Sequence, residues 1–415
     1  MTTATGVAVL LACLSGILLY VVARAVGVSA WAAWIGVLTW TLVPASVFTG
    51  AATVPELPTS ALCASAILLL RRTDLRSAWL AAGLVLPATL SRYEAWPVAI
   101  VLMVANTVVG VRERTMRCVA QRIGPVALAC AGPVVWILWN HHAHGNALSF
   151  HVRVSNYWFL SGGGSQGVWA DLRAFVEPLM ADGLVLLLVA LVAVIGRWGN
   201  LRLWRDWMVP GLSCVFLVAA LLVAQRGGGA PTHHPERSML AVWAVGWIAV
   251  CDLLPWQVIS SHRVFTTGRV VLLVVIATGL STARLGRLAR SYGVNRPDEL
   301  VVGDWLRNRS EGSVWLAPRD YGYFAILAAM QSGDRVTLAA SVEPQDRGTP
   351  SPFDREDWLR RRVCEGAFRW LVAQSDRGLM AKRVGDVRLE TGAWVVVEVR
   401  ESDAVHCERS DSLRR

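Results

Sequence analysis

The sequence predicts a mainly α, polytopic helical membrane protein of about ten apolar helices over residues 1–283, followed by a small soluble α/β domain over residues 284–415. Three observations predict it. Hydrophobic residues make up 54% of the 415 and charged residues only 17%, against about a quarter charged in an ordinary soluble domain. The mean hydropathy is +0.45. The apolar residues also cluster in long runs, which excludes a soluble single-domain enzyme and a disordered chain.

The apolar stretches fall at about 6–23, 30–50, 57–70, 78–90, 95–110, 123–140, 179–196, 207–224, 238–255 and 268–283. Several are shorter than the ~20 residues that a straight span needs. The pair 78–90 and 95–110 is interrupted by Ser91-Arg92-Tyr93-Glu94. Such a break is tolerated where it faces protein or a water-filled cavity.

The formal charge of +10 does not point to nucleic acid. Residues 1–282 hold 18 Arg and 10 acids, and residues 283–415 hold 22 basic and 20 acidic residues. The excess therefore sits in short loops between apolar runs. Alternate loops carry thirteen arginines (Arg24; Arg71, Arg72 and Arg76; Arg112, Arg114, Arg117 and Arg122; Arg197, Arg202 and Arg205; Arg263 and Arg269) against five in the other set (Arg92, Arg153, Arg173, Arg226 and Arg237). The richer set is expected on the cytoplasmic side. The first span then runs inward, so the chain reads as if it begins one span late. Arg284, Arg287 and Arg290 pull the other way at the last span; the C-terminal domain is nevertheless placed outside.

The outer loops collect six of the ten acids of the membrane half (Glu56, Glu94, Asp171, Glu177, Asp182 and Glu236), with His141, His142, His144, His151, His233 and His234. Carboxylates, imidazoles and arginines together suit a reaction at the outer face, with a base to take a proton and guanidiniums to hold phosphate. Glu56, in Thr53-Val54-Pro55-Glu56-Leu57, has no basic residue near it in sequence. It reads first as a solvated acid at a helix N-terminus, favoured by the helix dipole, and second as a site residue. Arg92 and Glu94 sit within an apolar stretch, where charges pair with each other or line a cavity; a structural ion pair and a functional one fit equally well.

The segment Gly227-Gly228-Gly229-Ala230-Pro231-Thr232-His233-His234-Pro235-Glu236-Arg237 directly precedes a span. Its glycines permit close backbone approach to a ligand, and Arg237 can bind phosphate oxygens bidentately or simply anchor at the interface. Asn140-His141-His142-Ala143-His144, with His151 and Arg153 beyond, matches no zinc spacing, so loop histidines without metal are favoured. No cofactor is implied; a divalent metal is left open.

In the C-terminal part, 297–309 reads as a helix begun by Pro297 and Asp298. Ser313–Ala317 and Arg335–Ala340 read as strands flanking an Asp320–Gln331 helix, 353–374 as one long charged helix and 392–400 as a final strand.

The order of these features resembles the GT-C membrane glycosyltransferases, the group that includes protein mannosyltransferases and the aminoarabinose lipid A transferase. The resemblance rests on Arg24-Ala25-Val26-Gly27 after an inward span and on Leu42-Val43-Pro44 followed by Glu56. It continues in Trp79-Leu80-Ala81-Ala82-Gly83 leading to Ser91-Arg92-Tyr93-Glu94, and in His234-Pro235-Glu236-Arg237. It covers residues 10 to about 340, and the order of the motifs carries more weight than any one of them. It implies an inverting transfer of a sugar from a polyprenyl-phosphate donor to a lipid or glycan acceptor at the outer face of the bacterial inner (plasma) membrane. The family's first span and first outer loop, which holds its base, have no counterpart here. Glu56 and Glu94 are then the candidate catalytic acids. Arg92, Tyr93, His144, Arg153, His233, His234, Glu236 and Arg237 are the candidate substrate-binding residues. The partners expected are the donor, the acceptor and membrane lipids, with no nucleic acid. The alternative is a non-catalytic scaffold or lipid-linked-sugar binding protein of the same architecture.

Overall fold

A computed structural model of the chain describes residues 2–51, 54–113, 115–160, 201–227, 235–253, 296–309, 312–318, 323–331, 333–339, 355–365, 368–374 and 376–399, with a few isolated positions between them. The chain divides into two compact units, Met1–Ser291 and Tyr292–Arg415.

The first unit is helical: α1 (Thr2–Ala25), α2 (Ala30–Leu42), α3 (Pro44–Ala51), α4 (Glu56–Leu69), α5 (Leu75–Ser91), α6 (Trp96–Arg112), α7 (Met116–His144) and α8 (Ser149–Leu160). Helices Leu201–Arg226, Pro235–Ser238 and Leu240–Leu253 follow. Among the described residues four helices are long and apolar enough to cross a membrane, or five if the bent α2–α3 pair counts as one span. Helix α4, helix α5 and Leu240–Leu253 are apolar but shorter. The protein is thus an integral membrane protein, and the described residues hold fewer than ten full spans. The stretches 179–196 and 268–283 lie outside the described residues.

Local chemistry sets the boundaries. Asp74 accepts from the backbone N–H of Ser77 at 2.9 Å and from its hydroxyl at 2.8 Å, capping α5. Thr115 caps α7 in the same way, and Gly145 ends it at φ +68°, a conformation that other residues adopt only with strain. Between α2 and α3 the axis turns by 74°. Pro44 opens α3 without an N–H to continue the α2 ladder, and it holds Val43 extended at ψ 132°.

The packed centre is α1, α2, α4, α5, the start of α6 and Leu240–Leu253. Trp40 of α2 is fully buried and donates its indole N–H to the Leu240 carbonyl at 2.9 Å. A Cβ on Gly36 would lie 2.8 Å from the Ile248 Cα, so α2 and Leu240–Leu253 meet backbone to backbone. By contrast the outer faces of α1, α6, α7 and Leu201–Arg226 expose large apolar residues such as Leu14, Val108, Leu138 and Leu212, as lipid-facing helices do.

The second unit is a five-stranded sheet in the order β2–β1–β3–β5–β4: β1 (Ser313–Ala317), β2 (Val336–Leu338), β3 (Phe368–Gln374), β4 (Gly385–Thr391) and β5 (Trp394–Val399). The β2–β1–β3 part is parallel, and β5 and β4 add antiparallel. Helices Pro297–Arg307 and Tyr323–Met330 cover one face, and Glu356–Glu365 with Asp376–Ala381 the other. Crossovers on opposite faces are what right-handed β–α–β connections from a central β1 require.

The expected helix over 353–374 is corrected: a helix covers only Glu356–Glu365, and Phe368–Gln374 is the central strand β3. A strand buried on both faces has no polar alternation, so its apolar run reads equally as helix. The edge strand β4 was not foreseen; its charged, outward-facing residues hide it.

Two outcomes test this packing. Gly36→Ala is expected to lower the thermal unfolding temperature in detergent, by a cost of about 1–3 kcal/mol for overpacking, whereas Gly83→Ala, whose Cβ meets nothing within 4 Å, is expected to be neutral or slightly stabilising. The hydrogen bonds from Ser77 hold Asp74 below its ordinary carboxylate value of 3.8. Its stabilisation is therefore complete above that value and fades as pH falls below it through the lowered one. Asp74→Ala is expected to destabilise α5 by about 1 kcal/mol at neutral pH, a difference from wild type that shrinks below pH 3.8 in acid melts.

Candidate functional site

The chain brings three distant segments to one end of the bundle. Glu56 is the first residue of α4, Arg92 follows the last residue of α5, and Arg237 is the third residue of the one-turn helix Pro235–Ser238 before Leu240–Leu253. Helices α4 and α5 run antiparallel, so the start of one meets the end of the other, and Thr59 donates to Ser91 at 3.2 Å. Pro87 within α5 and the 3₁₀ turn Tyr93–Ala95 break the chain at Arg92, leaving its backbone extended.

Arg92 is the hub. Its Nη2 donates to Glu94 Oε1 at 2.8 Å and its Nε to Glu94 Oε2, a two-pronged pair. Its Nη1 lies 2.8 Å from Glu56 Oε1. Arg237 Nη1 stands 3.7 Å from the same Glu56 oxygen, and its guanidinium lies over the Phe48 ring at 5.2 Å. Glu56 is only 7% exposed. Its second oxygen, Oε2, is buried and accepts no hydrogen bond among the described residues.

These groups line one cavity of about 30 Å³ with Thr59, Ser60, Cys63, Leu217 and Ser238. That volume admits two or three waters. Two carboxylates and two guanidiniums face it, so the charges balance. The solvated-acid reading of Glu56 is therefore corrected: its partners are Arg92 and Arg237, which are 36 and 181 residues away in sequence and invisible to local spacing.

The other candidates are placed differently. Tyr93 lies beside the hub, its ring 6.0 Å from that of Phe150. His144 is exposed at the end of α7 and does not line the cavity; His141 and His142 are exposed there too. Arg153 is on α8 and Glu236 in the one-turn helix, but the side chains of both lie outside the described residues, as do His233 and His234 altogether. No group of three His, Cys, Asp or Glu suited to a metal ion occurs among the described residues.

A second charged cluster went unnoticed in the sequence. At the opposite end of the same helices Arg71 Nη1 lies 3.3 Å from Asp252 Oδ2, and Trp207 donates to that oxygen at 3.0 Å while Arg71 stacks over its ring at 4.3 Å. The two charged side chains are only 7% and 11% exposed. The only sequence signal was an acid at the end of an apolar run. Arg122, also buried, donates to Asn106 at 3.1 Å and to the Thr73 carbonyl, tying α6 and α7 to the α4–α5 loop.

No protein-family model matches the sequence, and no curated protein matches it. Among solved structures the chain resembles ArnT from Cupriavidus metallidurans, crystallised bound to undecaprenyl phosphate, with a TM-score of 0.53 and 16% identity, over 96% of this chain and 84% of that one. The chain therefore shares the fold of that protein.

Removing the hub cation should show how far the site depends on it. Arg92→Met is expected to cost about 3–5 kcal/mol, because it leaves Glu56 and Glu94 buried without their principal cation. The check is a thermal melt in detergent; a change within 1 °C of wild type would contradict the assignment of Arg92 as hub.

Proposed function

We propose that the protein transfers a sugar from a polyprenyl-phosphate-linked donor to a hydroxyl acceptor at the outer face of the bacterial inner membrane. The observation that carries this reading is the meeting of Arg92 and Arg237 over one buried carboxylate in a cavity at one end of the bundle. Two guanidiniums converging on one anion also suit phosphate oxygens. The fold shared with a protein crystallised with undecaprenyl phosphate supports the same ligand chemistry.

Each residue then has a physical role. Arg92 and Arg237 hold the donor phosphate and stabilise the charge it gains as the glycosidic bond breaks. Glu94, paired on both oxygens with Arg92, fixes that guanidinium in place. Glu56 lies beside the acceptor, where its unpartnered Oε2 can accept a hydroxyl hydrogen bond. Thr59, Ser60 and Ser238 add hydroxyls to the wall.

The balanced charge of the cluster also suits the second reading, a lipid-linked-sugar binding protein without turnover. The two readings part on one experiment. Arg237→Ala is expected to abolish transfer of radiolabelled sugar from polyprenyl-phosphate donor in membranes while leaving the amount of inserted protein unchanged. Full transfer by that variant would remove Arg237 from the site. Donor binding by the wild type without any transfer would favour the binding protein.

A further inference from the structure

The geometry points to Glu56 as a built-in stand-in for the donor phosphate: its carboxylate holds Arg92 and Arg237 together and must give way when the lipid phosphate arrives. This inference rests on the donor-phosphate reading above. Three observations support it. A single oxygen, Glu56 Oε1, serves both arginines, from 2.8 Å and 3.7 Å. The cavity that both arginines and Glu56 line, about 30 Å³, is of a size for a few waters, so a phosphate reaches the guanidiniums most readily by taking the place of the carboxylate. The four charges already cancel, so an added anion is repelled unless one carboxylate leaves the arginines.

The two carboxylates are not equivalent. Glu94 uses both oxygens on Arg92, and its place two residues away keeps it there. Glu56 reaches Arg237 only at long range, and its Oε2 is buried without a donor among the described residues. A buried acceptor left unmade costs about 1–3 kcal/mol, so Glu56 is the carboxylate held less well. Turned off the arginines it loses its cations and faces the cavity, where an acceptor hydroxyl can satisfy it. Donor binding thereby frees the whole carboxylate, Oε1 as well as Oε2, for the acceptor hydroxyl, which favours binding the donor first.

The test is the affinity of the full-length protein in nanodiscs for undecaprenyl phosphate. Removing a competing anion should tighten binding: Glu56→Gln is expected to bind about tenfold more tightly than wild type, equivalent to about 1.4 kcal/mol. Glu56→Asp, which reaches the arginines less well, is expected to fall between the two. The lipid should also raise the melting temperature of Glu56→Gln by more than that of wild type, a readout that exposes any loss of folding. Arg92→Gln and Arg237→Gln should lose at least tenfold. If both Glu56 variants bind as wild type or more weakly while the arginine variants lose binding, Glu56 is a structural partner and the inference is overturned. If wild type and the arginine variants bind equally, the donor-phosphate reading itself falls.

Discussion

The need to neutralise Arg92 organises one end of this molecule. A guanidinium with less than a quarter of its side chain exposed is costly to hold at the edge of an apolar bundle unless its donors are taken up. Glu94 supplies one face of it and Glu56 the other, and the second of these contacts fixes how α4 sits against α5. Arg237 is drawn to the same carboxylate and carries the start of Leu240–Leu253 with it. Three segments that share nothing in sequence are thus held at one point by Coulomb attraction in a poorly screened place.

The opposite end repeats the device with different parts. Arg71 and Asp252 close α4 against Leu240–Leu253 at the other boundary, with Trp207 donating to the same Asp252 oxygen and stacking on the cation. Between the two ion pairs the contact is apolar and close: Trp40, Ala61, Ala64 and Ile248 are fully buried, and Gly36 lets the backbones touch. Helices too short to span by themselves are supported in this way by their neighbours. The second pair is packed against Trp207 and reads as structure, whereas the first lines a cavity. Charged groups that line a cavity are available to a ligand; those sealed in packing are not.

How much was legible follows from how local each signal is. The apolar runs within the described residues, the break at Ser91–Glu94 and the strand Ser313–Ala317 are properties of neighbouring residues, and the structure places these where the sequence implies. So is the capping of α5 by Asp74. The strand β3 was misread because a strand buried on both faces carries the same apolar run as a buried helix, and only its pairing with β1 and β5 distinguishes them. The solvated-acid reading of Glu56 fails for a related reason: a carboxylate without a nearby base looks solvated until the fold delivers Arg92 and Arg237 to it. Arg71 likewise looked like one more cytoplasmic-loop arginine.

By itself, then, the sequence determined that the chain is a helical membrane protein with an α/β appendage, and it marked Glu56, Arg92, Glu94 and Arg237 as charges set at the edges of apolar segments. Hydropathy and caps act over a few residues, so a linear reading captures them. Only the tertiary structure decided which of those charges meet, that Glu56 is shared between two arginines while Glu94 is committed to one, and that His144 stands apart from them. Those facts depend on which helix ends come together. That is fixed by packing between residues nearly two hundred positions apart, and no local pattern records it.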